Sequence, residues 1–119
     1  MAADQPIVII GHLDVDPADR DALVAATAEL QRGTRDDEPG CLTYTIAADP
    51  ADPGRIQIVE MWADAAALEA HFQHPNFAAT GAAMRAAPRH GGSAMKYRVD
   101  ATAPVRGPDG TATAQFPEG

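Results

Sequence analysis

The residues able to do chemistry crowd into one segment of this chain. Glu38-Pro39-Gly40-Cys41-Leu42-Thr43-Tyr44 is followed, after a Pro/Gly-rich turn, by Ile56-Gln57-Ile58-Val59-Glu60-Met61-Trp62, and then by Leu68-Glu69-Ala70-His71 and Pro75-Asn76-Phe77. The segment holds the only Trp, two of the four His and two of the three Phe. His71 is the candidate proton acceptor, because an imidazole with an unperturbed pKa near 6.5 is the side chain best suited to take a proton from a phenol at neutral pH. On a helix it shares a side with Leu68 and Phe72, which equally suits a histidine packed in the core against a backbone carbonyl. Trp62, at a strand end before a helix cap, reads either as a core or dimer-interface aromatic or as a wall on which a flat aromatic ligand stacks. Tyr44 points with Leu42 and Ile46, its hydroxyl either at the rim of a core or offered to a ligand. His12, in the middle of a strand, needs a polar partner and faces either a cleft or a dimer seam.

Other chemistries lack their residues. His71-x-x-His74 has no third ligand at helical spacing, so no metal is expected. Cys41 has no basic neighbour to lower its pKa, and it is expected to be a small strand residue. The chain has no glycine-rich phosphate loop, no G-x-S-x-G and no dinucleotide fingerprint, so no nucleotide or flavin cofactor is expected. Nine Lys and Arg against 17 Asp and Glu give a net charge of -8, which disfavours nucleic acid. Arg85, Arg89, His90, Lys96 and Arg98 are the nearest approach to a basic patch, either a solvated helix end and strand or a receptor for a substrate carboxylate or phosphate. The apolar run Ile7 to Ile10 is too short for a signal or membrane segment, and a cytoplasmic protein is expected.

The elements that position these residues follow from pattern. A length of 119 residues suits one domain. The β-branched run from Ile7 predicts a strand buried on both faces. Asp16-Pro17 starts a helix to about Arg32, with a stripe of Leu23, Ala26, Thr27 and Leu30 and a stop at Gly33. Cys41 to Ala48 alternates Leu42, Tyr44 and Ile46 against Cys41, Thr43 and Thr45. Residues 49 to 54 are a loop, and Arg55 to Trp62 completes a hairpin. Asp64 caps a helix to about His74; Pro75 breaks it, and a second piece runs to Ala87. Ser93 to Val99 is the last strand. The order β-α-β-β-α-β is the ferredoxin-like α+β unit, here over residues 5–100. Residues 101–119, with three Pro and three Gly, form a tail, either disordered or draped over a neighbouring subunit.

The order E-P-G-C-L-x-Y, then E-x-W, then A-L-x-x-H-x-x-x-P-x-F, carried by Glu38 to Tyr44, Glu60 to Trp62 and Ala67 to Phe77, resembles the antibiotic biosynthesis monooxygenase family over roughly residues 5–100. The resemblance implies an antiparallel four-stranded sheet, a homodimeric α+β barrel, and a helix histidine at or near a ligand cleft. It also implies a cofactor-independent monooxygenase that oxidises an electron-rich phenol, hydroquinone or polycyclic aromatic with O2. His71 and Tyr44 are then the catalytic candidates, and Trp62, Phe72, Phe77 and His12 the substrate-binding ones. Haem-degrading relatives carry an Asn early in the first strand, where this chain has Gly11 and His12, which makes haem chemistry the weaker expectation. A non-enzymatic barrel that binds a small hydrophobic molecule fits the same residues.

Overall fold

A computed structural model describes residues 5–117. Eight elements follow one another: β1 (Ile7–Val15), α1 (Pro17–Ala26), α2 (Ala28–Asp37), β2 (Cys41–Ala48), β3 (Arg55–Trp62), α3 (Ala65–Gln73), α4 (Pro75–Met84) and β4 (Arg89–Arg98). The strands form one antiparallel sheet in the order β2-β3-β1-β4, the ferredoxin-like arrangement. Among the described residues no helix is long and apolar enough to cross a membrane.

The helices cover only one face, and the strand register assigns every side chain to a side. On the helix face lie Ile7, Ile9 and Val15 of β1, Ile56, Glu60 and Trp62 of β3, and Tyr44 and Ile46 of β2, all buried. The other face carries Val8, Ile10, His12, Val59, Met95 and Tyr97. Burial of β1 on both faces is therefore not what the single chain shows, since Ile10 is 46% exposed. The apolar run is real, but its second cover is absent from the folded monomer.

The first helix is not continuous. Asp16 Oδ1 caps it by accepting from Ala18 N at 2.9 Å, as expected, but Thr27 breaks it. The Thr27 hydroxyl donates to Val24 O at 2.8 Å, the back-bonding that bends helices, and Gln31 Nε2 donates to Thr27 Oγ1 at 3.0 Å. The chain then stays helical through Gly33 to Asp37. The buried stripe consequently differs from the predicted one: Ala26 is exposed, while Gln31 and Thr34 are buried beside Leu23 and Thr27. Gln31 faces β2, donating from Nε2 to Ile46 O at 2.9 Å and accepting from Ile46 N at 3.0 Å. Arg35 Nε donates to Tyr44 O at 2.6 Å in the same way.

Two further expectations change for local reasons. The register shifts between Cys41 and Thr43, which turns Leu42 out of the Tyr44 and Ile46 row and leaves it 55% exposed. Strand β4 starts at Arg89, four residues early, and no helix covers it. Beyond Asp100 the chain adds no strand to the sheet. Residues 105–113 fold back as a small hairpin, with Arg106 bridged to Ala112, and Val105 and Phe116 are exposed.

Candidate active site

The second helical pair is built to present its aromatic residues. Asp64 Oδ1 accepts from Ala67 N at 2.8 Å and starts α3. Pro75 ends that helix and opens α4, whose first turn is capped by His74, since Asn76 N donates to His74 Nδ1 at 3.0 Å. His74 is thus a capping residue. The corner between α3 and α4 brings Phe72 and Phe77 together, ring centroids 5.1 Å apart at 63°.

Beneath them His71 is 99% buried, and its Nδ1 lies 2.7 Å from Glu38 Oε1. The other carboxylate oxygen of Glu38 accepts from Asn76 Nδ2 at 3.1 Å. Gly40 makes this approach of the turn to α3 possible. Its φ is +85°, and a Cβ there would sit 2.5 Å from the Ala67 Cβ. With Nδ1 donating to a carboxylate, the ring has Nε2 as its second nitrogen, the orientation in which carboxylate–histidine pairs serve as bases. Nε2 has no hydrogen-bond partner among the described residues.

Four aromatic rings surround that imidazole. Trp62 lies 4.5 Å away at 32°, Tyr44 and Phe77 meet it edge-on at 5.5 and 5.4 Å, and Phe72 stands at 5.9 Å. Trp62 Nε1 donates to Glu60 Oε1 at 2.9 Å, which fixes the carboxyl two residues earlier on the same strand face. Burial pushes the Glu60 carboxyl above the usual carboxylate range; the Trp62 hydrogen bond and the nearby His71 oppose that shift without cancelling it. Burial likewise pushes the Tyr44 phenol far up, and the Glu60 charge adds to the effect. Tyr44 therefore stays a hydroxyl at any working pH. The Cys41 thiol is raised by burial and by Glu38, which argues against a nucleophile.

A cleft of about 460 Å³ opens beside this cluster, over the part of the helix face that no helix covers. Ile9 and Ala94 form its floor, Phe72 and Phe77 one wall, and Glu60 and Lys96 its polar ends. The size and the apolar lining with few polar groups suit a small aromatic molecule.

The residues chosen from sequence fall into three places. Phe72 and Phe77 line the cleft, at 39% and 45% exposure. Tyr44, Trp62 and His71 lie in the buried layer immediately behind it. His12 lies on the opposite face of the sheet, between Gln57 and Ser93, with its Nε2 3.6 Å from Asp14 Oδ2. It cannot reach the cleft. Glu60 and Glu38 were missed as site residues, whereas Lys96 was named only as one of five basic residues, either a solvated patch or a receptor for a substrate carboxylate or phosphate, and it alone of the five lines the cleft. Glu60 was detectable, because alternation along β3 puts this carboxyl on the core side with Ile56, Ile58 and Trp62. Glu38 gave no signal as a site residue, since its place depends on contacts between distant segments.

Residues 6–83 match the family model for antibiotic biosynthesis monooxygenase. A protein of Synechocystis, sll1783, of uncharacterised function, is 35% identical over 75 residues, 63% of this chain and only 50% of that protein. Among solved structures, a candidate antibiotic biosynthesis monooxygenase of Caulobacter crescentus superposes with a TM-score of 0.71 at 27% identity, covering 85% of this chain and 93% of its own. Protein SO0527 of Shewanella oneidensis gives 0.70 at 26% identity, covering 81% and 92%. With its fold, its motif residues and most of its length in agreement, the chain belongs to the antibiotic biosynthesis monooxygenase family.

Proposed function

We propose that this protein is a cofactor-independent monooxygenase that oxidises an electron-rich phenol or hydroquinone with O2. One observation carries the reading: an apolar, ring-walled cleft has a buried carboxyl, Glu60, at one end, and a histidine whose Nδ1 is paired with Glu38 directly behind it. The substrate supplies the electrons. A base removes the phenolic proton, the phenolate passes one electron to O2, and the resulting phenoxyl radical combines with superoxide at a ring carbon to give a peroxide. Loss of water across the O–O bond then leaves a quinone, so that one substrate and one O2 give one quinone and one water.

Each step asks for something this chain can provide. Glu60 receives the substrate hydroxyl in a hydrogen bond, a role expected of Tyr44 from sequence. His71 takes the proton at Nε2 when the half-exposed rings of Phe72 and Phe77 move aside. Phe72 and Phe77 hold the aromatic plane and exclude water from the radical pair. Trp62 and Tyr44 brace the imidazole and Glu60 from behind.

The open sheet face belongs to the assembly. Ile10, Val59, Met95 and Tyr97 form a continuous exposed apolar patch there, and a second copy covers it, which makes the active form a homodimer. The test of the reaction is oxygen uptake with a panel of hydroquinones and phenols, in buffer stripped of flavin and metal. Quinone should appear in equal amount to the O2 consumed, at a rate proportional to protein. Rates no higher than those of the His71→Ala protein for every compound would refute the reading.

A further inference from the structure

Register places Glu60, Ile9 and Lys96 in one row, on the same sheet face of three neighbouring strands. With strands about 4.8 Å apart, the two outer backbones are about 10 Å apart, room for one aromatic ring with a polar contact at either end. Ile9 between them is buried and apolar, and Ala94, one step along β4, is too small to fill the space above it. Lys96 has neither an ion pair nor a side-chain hydrogen bond among the described residues, although it lines the cleft. A lysine without a protein partner, set in the same row as a carboxyl with an apolar residue between them, selects a ligand with two different ends.

We propose that the cleft takes an aromatic acid, a planar phenol bearing a carboxylate, with its hydroxyl at Glu60 and its carboxylate at Lys96. The proposal rests on the reading of this cleft as the substrate site and names the substrate class. The chain's net charge of -8 works against any anion at long range, but salt screens that field within about 8 Å, so the group in contact decides.

Calorimetric titration of the 119-residue chain with 4-hydroxybenzoate and with its neutral counterpart 4-hydroxybenzamide tests the assignment. The acid should bind about tenfold tighter, equivalent to about 1.4 kcal/mol. Lys96→Met should abolish that preference without weakening the amide, Lys96→Arg should keep most of it, and Phe77→Ala should weaken both probes alike. Equal affinities in the unaltered protein, or a preference that survives Lys96→Met, would overturn the role of Lys96 alone. If neither probe binds, the proposal fails together with the assignment of the cleft.

Discussion

Removing the imidazole of His71 strands a carboxylate in the interior, and the size of that effect can be worked out. Glu38 and His71 side chains are 4% and 1% exposed and 2.7 Å apart. Breaking such a pair by deleting one partner costs about 3–5 kcal/mol, because the surviving charge has lost both water and its counterpart. For a chain of 119 residues with an unfolding entropy of about 2.1 cal/mol/K per residue, the melting temperature of His71→Ala should fall by about 12–20 °C. Adding Glu38→Gln should then recover roughly 1–3 kcal/mol, since a neutral amide replaces the stranded charge and can still satisfy Asn76. Urea unfolding of the single and double variants measures both quantities. A loss below about 1 kcal/mol for His71→Ala, or a further loss on adding Glu38→Gln, would refute the account of a coupled buried pair. Stability alone cannot expose a catalytic role here, because both a base and a core histidine give this melting shift. Turnover per folded molecule, measured well below the variant's melting temperature, should fall by about 10²-fold or more if His71 is the base.

Three other outcomes are expected. The folded-state pKa of Glu60 lies above its unfolded value, so its contribution to stability is fully present below the unfolded value and is lost as pH rises through the folded one. Glu60→Gln, which keeps an acceptor for Trp62 Nε1, should therefore melt higher than the parent protein at pH 7–8 and converge with it near pH 4; a parent that is the more stable at pH 8 contradicts this. Light scattering should give twice the 12.4 kDa chain mass, and Ile10→Lys on the open face should halve it with the helical circular dichroism unchanged, whereas a monomeric parent would exclude the dimer. Deleting residues 101–119 should leave the fold and melting temperature of the domain nearly unchanged, because the hairpin places no residue in the core. A large drop in melting temperature would show that the tail covers core or partner.

Legibility from sequence followed the range of the forces involved. Asp16-Pro17, Asp64, Pro75 and the Pro/Gly loop after Ala48 act on neighbours a few residues away, and the element boundaries they set stand where they were expected. The break at Thr27 was hidden, because a threonine hydroxyl that bonds back to Val24 O looks in sequence like any helical threonine. The bulge that turns out Leu42 left no mark either, since alternation assumes an unshifted register. Helix periodicity put His71 and Phe72 toward the sheet, but the partner of His71 is 33 residues earlier, in a turn with no periodic pattern of its own. His12 was ambiguous for a related reason: composition identifies a strand with two apolar faces, and only the crossing of α3 and α4 decides which face becomes the cleft.

The two borders of the sheet differ in their capacity to grow. Strand β2 is an outermost strand, but Ile46 N, Ile46 O and Tyr44 O already bond to Gln31 and Arg35 of α2. A carboxamide, with an N–H and a C=O side by side, imitates the peptide group of a further strand, and so closes that border from within the chain. The Ile46 amide should then exchange with deuterium as slowly as one in the middle of the sheet, although it lies at the rim. Strand β4 has no such cover, and its backbone is the place where another strand can be added. Recruitment of a foreign peptide, exchange of terminal segments between copies, and fibril seeding in a damaged sample should all start at that one side, which makes lateral growth of this sheet directional.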